Sequence, residues 1–97
     1  MDRREVAASR LQLRTRDHDH RLEIELHGVL DVATGPRLIT ALDAALANPG
    51  IHAVQVAARD LRFVDVRGMS ALVTARHVAT SSGRCFRIAD SPLCYGA

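Results

Sequence analysis

The spacing of apolar residues in this chain alternates between the strand period and the helix period. Leu22, Ile24 and Leu26 alternate with Glu23, Glu25 and His27, which is the pattern of a half-buried strand. Leu38, Ala41, Leu42, Ala45 and Leu46 then fall on one stripe of a helix. From Ile51 to Ala58, with β-branched Val54 and Val56, the strand pattern returns, and Asp60-Leu61-Arg62-Phe63-Val64 runs on to Asp65. Gly68, Ala71, Leu72, Ala75, Val78 and Ala79 make a second helical stripe between about Arg67 and Ser81. Cys85 to Ala89 reads as a last strand, with Phe86 and Ile88 on one side. Ahead of all these, Leu11 and Leu13 alternate with Gln12 and Arg14, so the order is β-β-α-β-α-β.

The punctuation agrees with that order. Asp17-His18-Asp19-His20 is polar and turn-forming, and it joins the first two strands as a hairpin. Gly28 breaks the alternation as a bulge or strand end would. Asp31 or Thr34 can cap the first helix, Pro36 suits its first turn, and Asn48-Pro49-Gly50 stops it. Ser82-Gly83 ends the second helix. Asp90-Ser91-Pro92 resembles the start of a third, for which few residues remain. Strands joined by helical crossovers pair in parallel, while the hairpin is antiparallel. A mixed four-stranded sheet with helices packed on one face is therefore expected, with the other face or one end under-covered.

The chain has 97 residues, enough for one domain and no second. Residues 1–8 are expected to form a flexible tail, and residues 9–97 a single domain. The hydrophobic fraction of 47 % excludes disorder, and the 3 % of aromatics counts against base stacking on single strands. All 13 cationic residues are Arg, spread along the chain and nearly balanced by 11 carboxylates. There is no basic patch of the kind that tracks a phosphate backbone, so no nucleic acid is expected. No apolar run approaches the ~20 residues that span a bilayer, so no membrane is expected. The charged start Met1-Asp2-Arg3-Arg4-Glu5 is unlike an export signal, and a cytoplasmic chain with free thiols is the expectation. Cys85 and Cys94 are too few for a disulfide scaffold, and Cys85 within a strand reads as a small core residue.

Candidate chemistry is sparse. Asp17-His18-Asp19-His20, with His27, offers metal donors by composition, but alternate side chains of a hairpin turn point into solvent. No metal, no cofactor and no catalytic set is expected. No Gly-rich phosphate loop is present. Asp31 and Asp65 both follow strands and can meet at one end of the sheet; capping a helix accounts for each. Asp65 can accept from the backbone N–H of Arg67 or Gly68, and Gly68 lets the helix start lie close to the sheet. On the second helix, Met69, Val73, Arg76 and Thr80 form a stripe away from the core stripe. Two apolar side chains and an Arg on an exposed face suit a contact surface.

Leu26-His27-Gly28-Val29-Leu30-Asp31, Val32-Ala33-Thr34-Gly35-Pro36-Arg37-Leu38 and Phe63-Val64-Asp65-Val66-Arg67-Gly68-Met69-Ser70-Ala71-Leu72 occur in this order. Together they resemble the STAS domain of bacterial anti-sigma factor antagonists, over about Leu11 to Pro92. The resemblance implies a STAS-like α/β fold and a non-enzymatic regulator of transcription, as in stress responses. Its partner would be an anti-sigma factor, often a serine kinase with a histidine-kinase-like fold. By position it implicates Asp31, Asp65, Val66, Arg67, Gly68, Met69, Val73 and Arg76 in partner binding. The family carries Asp-Ser-Ser-Gly where this chain has Asp65-Val66-Arg67-Gly68, and its second Ser is the phosphorylated one. Arg67 stands at that position and cannot take a phosphate, so control by phosphorylation there is not expected. Its charge opposes the positive end of the helix dipole, at a cost of ~0.3–1 kcal/mol. The family also adds a C-terminal helix or two, which is expected to be missing here. Apolar sheet surface would then be exposed, and a homodimer or a partner's helix would cover it. A structural subunit that self-associates through its uncovered sheet or tail is the alternative function. A nucleotide sensor is a third, disfavoured by the lack of a Gly-rich loop.

Overall fold

A computed structural model of the chain describes residues 10–89. The expected tail, the helix start at Asp90-Ser91-Pro92 and Cys94 lie outside the described residues. The elements are β1 (Leu11–His18), β2 (Arg21–Leu30), α1 (Gly35–Leu46), β3 (Ala53–Val64), α2 (Val66–Ser81) and β4 (Cys85–Ala89). The sheet order is β1-β2-β3-β4, with β1 antiparallel to β2 and the other pairs parallel. Two successive crossovers in one direction put both helices on the same face. There Leu38 and Leu42 of α1 and Leu72, Ala75 and Ala79 of α2 are buried with Leu22, Ile24, Leu26, Val54 and Val56 of the sheet. The expected α/β architecture is the observed one.

The hairpin is tighter than the sequence suggested. Strand pairing runs to His18↔Arg21, so only Asp19 and His20 form the turn, both at positive φ (51° and 66°). Two residues at positive φ match the turn whose twist suits a hairpin. The His20 ring stacks on His52 with centroids 4.9 Å apart, and its Nδ1 lies 3.0 Å from the Gly50 carbonyl. Among the described residues, no three His, Cys, Asp or Glu side chains come together in a way that could hold a metal ion. None of the described helices is long and apolar enough to cross a membrane.

Gly28 does not end β2. It sits inside the strand at φ +106°, where a Cβ would stand 2.2 Å from the Arg10 carbonyl oxygen. Strand β3 is one continuous element with two irregularities. Glu25 pairs with Ala57 and His27 with Asp60, and Gly28 pairs with Leu61 but Val29 with Phe63. At each step β3 spends one residue more than β2, which is a β-bulge. The buried positions of β3 accordingly run Val54, Val56, Ala58, then Leu61.

The sheet face that no described helix covers corrects one expectation. It is not apolar. Arg14, Arg16, Glu23, Glu25, His27, Gln55 and Arg87 occupy the strand positions that alternate with the core. Arg16 lies 3.9 Å from Glu23 and 3.6 Å from Glu25, and His27 Nδ1 lies 3.4 Å from Asp60. Cys85 is corrected as well. It is exposed, because Phe86 and Ile88 take the core side of β4 and alternation turns Cys85 outward.

Arg84, between α2 and β4, ties the far end of the fold together. Its Nε donates to the Ile51 carbonyl at 2.8 Å, and Nη2 donates to the Leu46 and Asn48 carbonyls, both at 3.1 Å.

Candidate functional site

Strands β2 and β3 run in parallel and end in register at Leu30↔Val64, so Asp31 and Asp65 emerge side by side at one end of the sheet. Each carboxylate organises the backbone that follows it. Asp31 Oδ1 accepts from the N–H of Ala33 at 2.9 Å and of Thr34 at 3.1 Å. The Thr34 hydroxyl accepts from the Asp31 N–H at 2.9 Å and donates to the Val29 carbonyl at 2.8 Å. Asp31 also pairs with the Arg10 guanidinium. Thr34 occupies the cap position of α1, but the side chain that shapes the entry is Asp31. Asp65 Oδ1 accepts from the Gly68 N–H at 2.8 Å, which makes it the cap of α2. The structure brings the two carboxylates to one end of the sheet, where both serve the helix starts.

Burial works to raise the pKa of Asp31. The N–H groups of Thr34 and Ala33, the Arg10 charge and the Thr34 hydroxyl together outweigh it and hold the carboxyl below its ordinary value. A carboxylate lowered on folding stabilises above the unfolded pKa of about 4 and loses that contribution as pH falls through the folded value. Asp31→Asn is therefore expected to cost about 1–2 kcal/mol at pH 7. The gap to the parent should narrow on acidification below pH 4, which urea titrations at several pH values would measure.

Gly68 sets how closely α2 approaches the sheet. A Cβ there would lie 2.0 Å from the Leu30 carbonyl oxygen and 2.7 Å from its carbon. The two helices approach each other where Gly35 faces Ala71, whose Cβ would lie 3.0 Å from an added one. A shallow groove of about 440 Å³ opens between their N-terminal halves, lined by Val32, Pro36, Ile39 and Ala71 with Thr40, Arg67, Ser70 and Thr74.

The exposed large apolar side chains of the described residues are Val32, Phe63, Val66, Met69 and Val73. All five lie at this end of the sheet or along α2. Val66 is 77 % exposed, Val73 66 % and Met69 45 %. The expected stripe of Met69, Val73 and Arg76 is exposed, and Gly68, Leu72, Ala75 and Ala79 face the core. Val66 and Arg67 in the first turn are exposed too. Of the sequence candidates, Gly68 is buried and structural, and Asp31 and Asp65 hold the helix starts; the other five present side chains to solvent. Val32 and Phe63 were not singled out from the sequence. Val32 lies just past the end of β2, and Phe63 alternates with core-packed Val64 in a phase that the bulges of β3 hide from the sequence.

The family model described as "Mlab, STAS domain" matches residues 13–92. No curated protein matches the chain by sequence. Among solved structures, an anti-sigma factor antagonist from Mycobacterium paratuberculosis is similar at a TM-score of 0.68 and 20% identity, over 80% of this chain and 65% of its own. An antisigma-factor antagonist STAS domain from Rhodobacter sphaeroides is similar at 0.73 and 15% identity, over 86% of this chain and 89% of its own. Mglu in its native form is similar at 0.76 and 15% identity, over 95% of this chain and 25% of its own. The chain thus spans just under two thirds of the first of these structures and a quarter of Mglu. At such identities the likeness is one of fold.

Proposed function

The chain belongs to the STAS domain family, and we propose that it acts by binding a protein, as a regulator of the anti-sigma factor antagonist type. One observation carries this proposal. The exposed large apolar side chains of the described residues are gathered at the carboxyl ends of β2 and β3 and along α2. Solvent-facing apolar residues scattered singly need no explanation; a cluster on one surface favours a docking site. The structural likeness to two anti-sigma factor antagonists supports the partner class, an anti-sigma factor. The partner contact comprises Val66, Arg67, Met69, Val73 and Arg76, with Asp31, Asp65 and Gly68 holding it in place. Arg67 carries no hydroxyl, so this regulator is not switched by phosphorylation at that position.

Substituting Met69→Asp and Val73→Asp together places two charges in the centre of the contact. The double variant is expected to keep its melting temperature, since both side chains are exposed, and to lose partner binding by at least about a hundredfold. Affinity capture from the host with parent and variant measures it. A partner retained by the double variant would exclude α2 as the contact. Incubation with host kinases and ATP is expected to leave the chain unmodified, and phosphate on Ser70 or Thr34 would overturn insensitivity to phosphorylation.

A further inference from the structure

From the charge around this contact, we infer that the partner surface is an amphipathic helix with acidic residues along both edges of its apolar stripe. The inference rests on the protein-binding function proposed above and specifies the partner's chemistry. Helix α2, residues 66–81, contains no Asp or Glu. Its cations are Arg67 and Arg76, both exposed and without a carboxylate partner among the described residues. The two carboxylates at the N-terminal end of α2 are committed elsewhere. Asp65 caps α2, and Asp31 is buried against Arg10 and the backbone N–H groups of Ala33 and Thr34.

The angular layout gives the shape. At about 100° per residue, Val66, Met69 and Val73 fall within about 60° of one another. Arg67 lies about 100° beyond Val66 on the groove side, and Arg76 borders Met69 on the opposite side, about 20° away. An apolar strip with a cation along each margin is the complement of an apolar strip with a carboxylate along each margin. The strip follows the axis of α2 for about two turns, a match for a helix laid alongside it. A basic partner would face uncompensated like charge at both margins. The dipole of α2 adds positive charge at its N-terminus, beside Arg67.

The test uses the full chain with a photo-cross-linking residue substituted at Val73, irradiated in its host cells, and sequencing of the attached peptide. The expected peptide has helical periodicity and more Asp and Glu than Lys and Arg. A synthetic copy of it should bind the parent, more weakly at high salt, and lose about tenfold in affinity on Arg67→Glu or Arg76→Glu. Arg67→Glu places a favourable charge at the helix start, so its melting temperature should hold or rise while binding falls. That opposition separates lost contact from lost folding. A neutral or basic peptide, a lipid adduct, or affinity indifferent to both reversals overturns the acidic-helix inference alone. If Val73 yields no cross-link while the same probe at Gln55, on the open sheet face, does, the proposed contact itself is wrong and the inference falls with it. No adduct at either position counts against both.

Discussion

Gly68→Ala is expected to destabilise the fold by about 3 kcal/mol or more, although the same change in an exposed helix stabilises by up to about 1 kcal/mol. Gly68 is in the first turn of α2, where its conformation is helical and alanine would fit the backbone. The obstacle is the space, since the added Cβ would stand 2.0 Å from the Leu30 carbonyl oxygen. That oxygen belongs to β2, whose position is fixed by pairing on both sides, so neither group can yield without moving an element. The helix must retreat from the sheet and loosen Leu72 and Ala75 in the core behind it. For a domain of this size the loss corresponds to a fall in Tm of at least about 12 °C. Thermal unfolding followed by circular dichroism measures it. An unchanged or raised Tm would show that the helix does not lie where the structure places it.

Arg84→Ala is expected to cost about 2–3 kcal/mol, unusual for a residue that is only partly buried. Its guanidinium reaches the carbonyls of Leu46, Asn48 and Ile51 at once. Leu46 ends α1, so its carbonyl has no N–H four residues on within the helix. A charged donor also suits the negative end of that helix. Truncation would free the connection from α1 to β3 and remove the guanidinium from all three oxygens, of which that of Asn48 keeps the Ile51 N–H as a donor. Arg84→Lys should recover less than half of the loss, because an ammonium cannot span three carbonyls with a fixed planar fork. Urea denaturation of the two variants beside the parent separates charge from geometry; an Arg84→Lys variant as stable as the parent would show that charge alone suffices.

Much of this architecture could be read from the residues because apolar periodicity is a local property that survives in the fold. The alternation at Leu22–Leu26 and most of the stripes of α1 and α2 are buried or packed on the core as expected, while Ala41 and Ala71 line surface grooves. The cap at Asp65 and the outward stripe of Met69, Val73 and Arg76 were legible for the same reason, since both follow from positions within one helix. What was not legible joins distant residues. The Arg10–Asp31 pair spans 21 positions, and Arg84 reaches carbonyls more than 30 positions away. Neither leaves a periodic trace. Cys85 was misplaced because residue type was weighed above phase. With Phe86 and Ile88 inward, alternation alone puts Cys85 outside. The charged open face followed from the same alternation, in Glu23, Glu25 and His27.

The two bulges of β3 also bear on which lengths of this strand the fold can accept. Each inserts one residue, and one residue is half the repeat that separates inside from outside. Together they restore the phase, so Val64 falls opposite Leu30 on the same footing as Val54 opposite Leu22. Losing a single residue between Ala58 and Arg62 would exchange inner and outer faces from Phe63 onward and rotate Asp65 away from the helix it starts. Losing two residues, one from each bulge, would keep the frame. Length variation in this stretch among descendants of the sequence should therefore come in even steps.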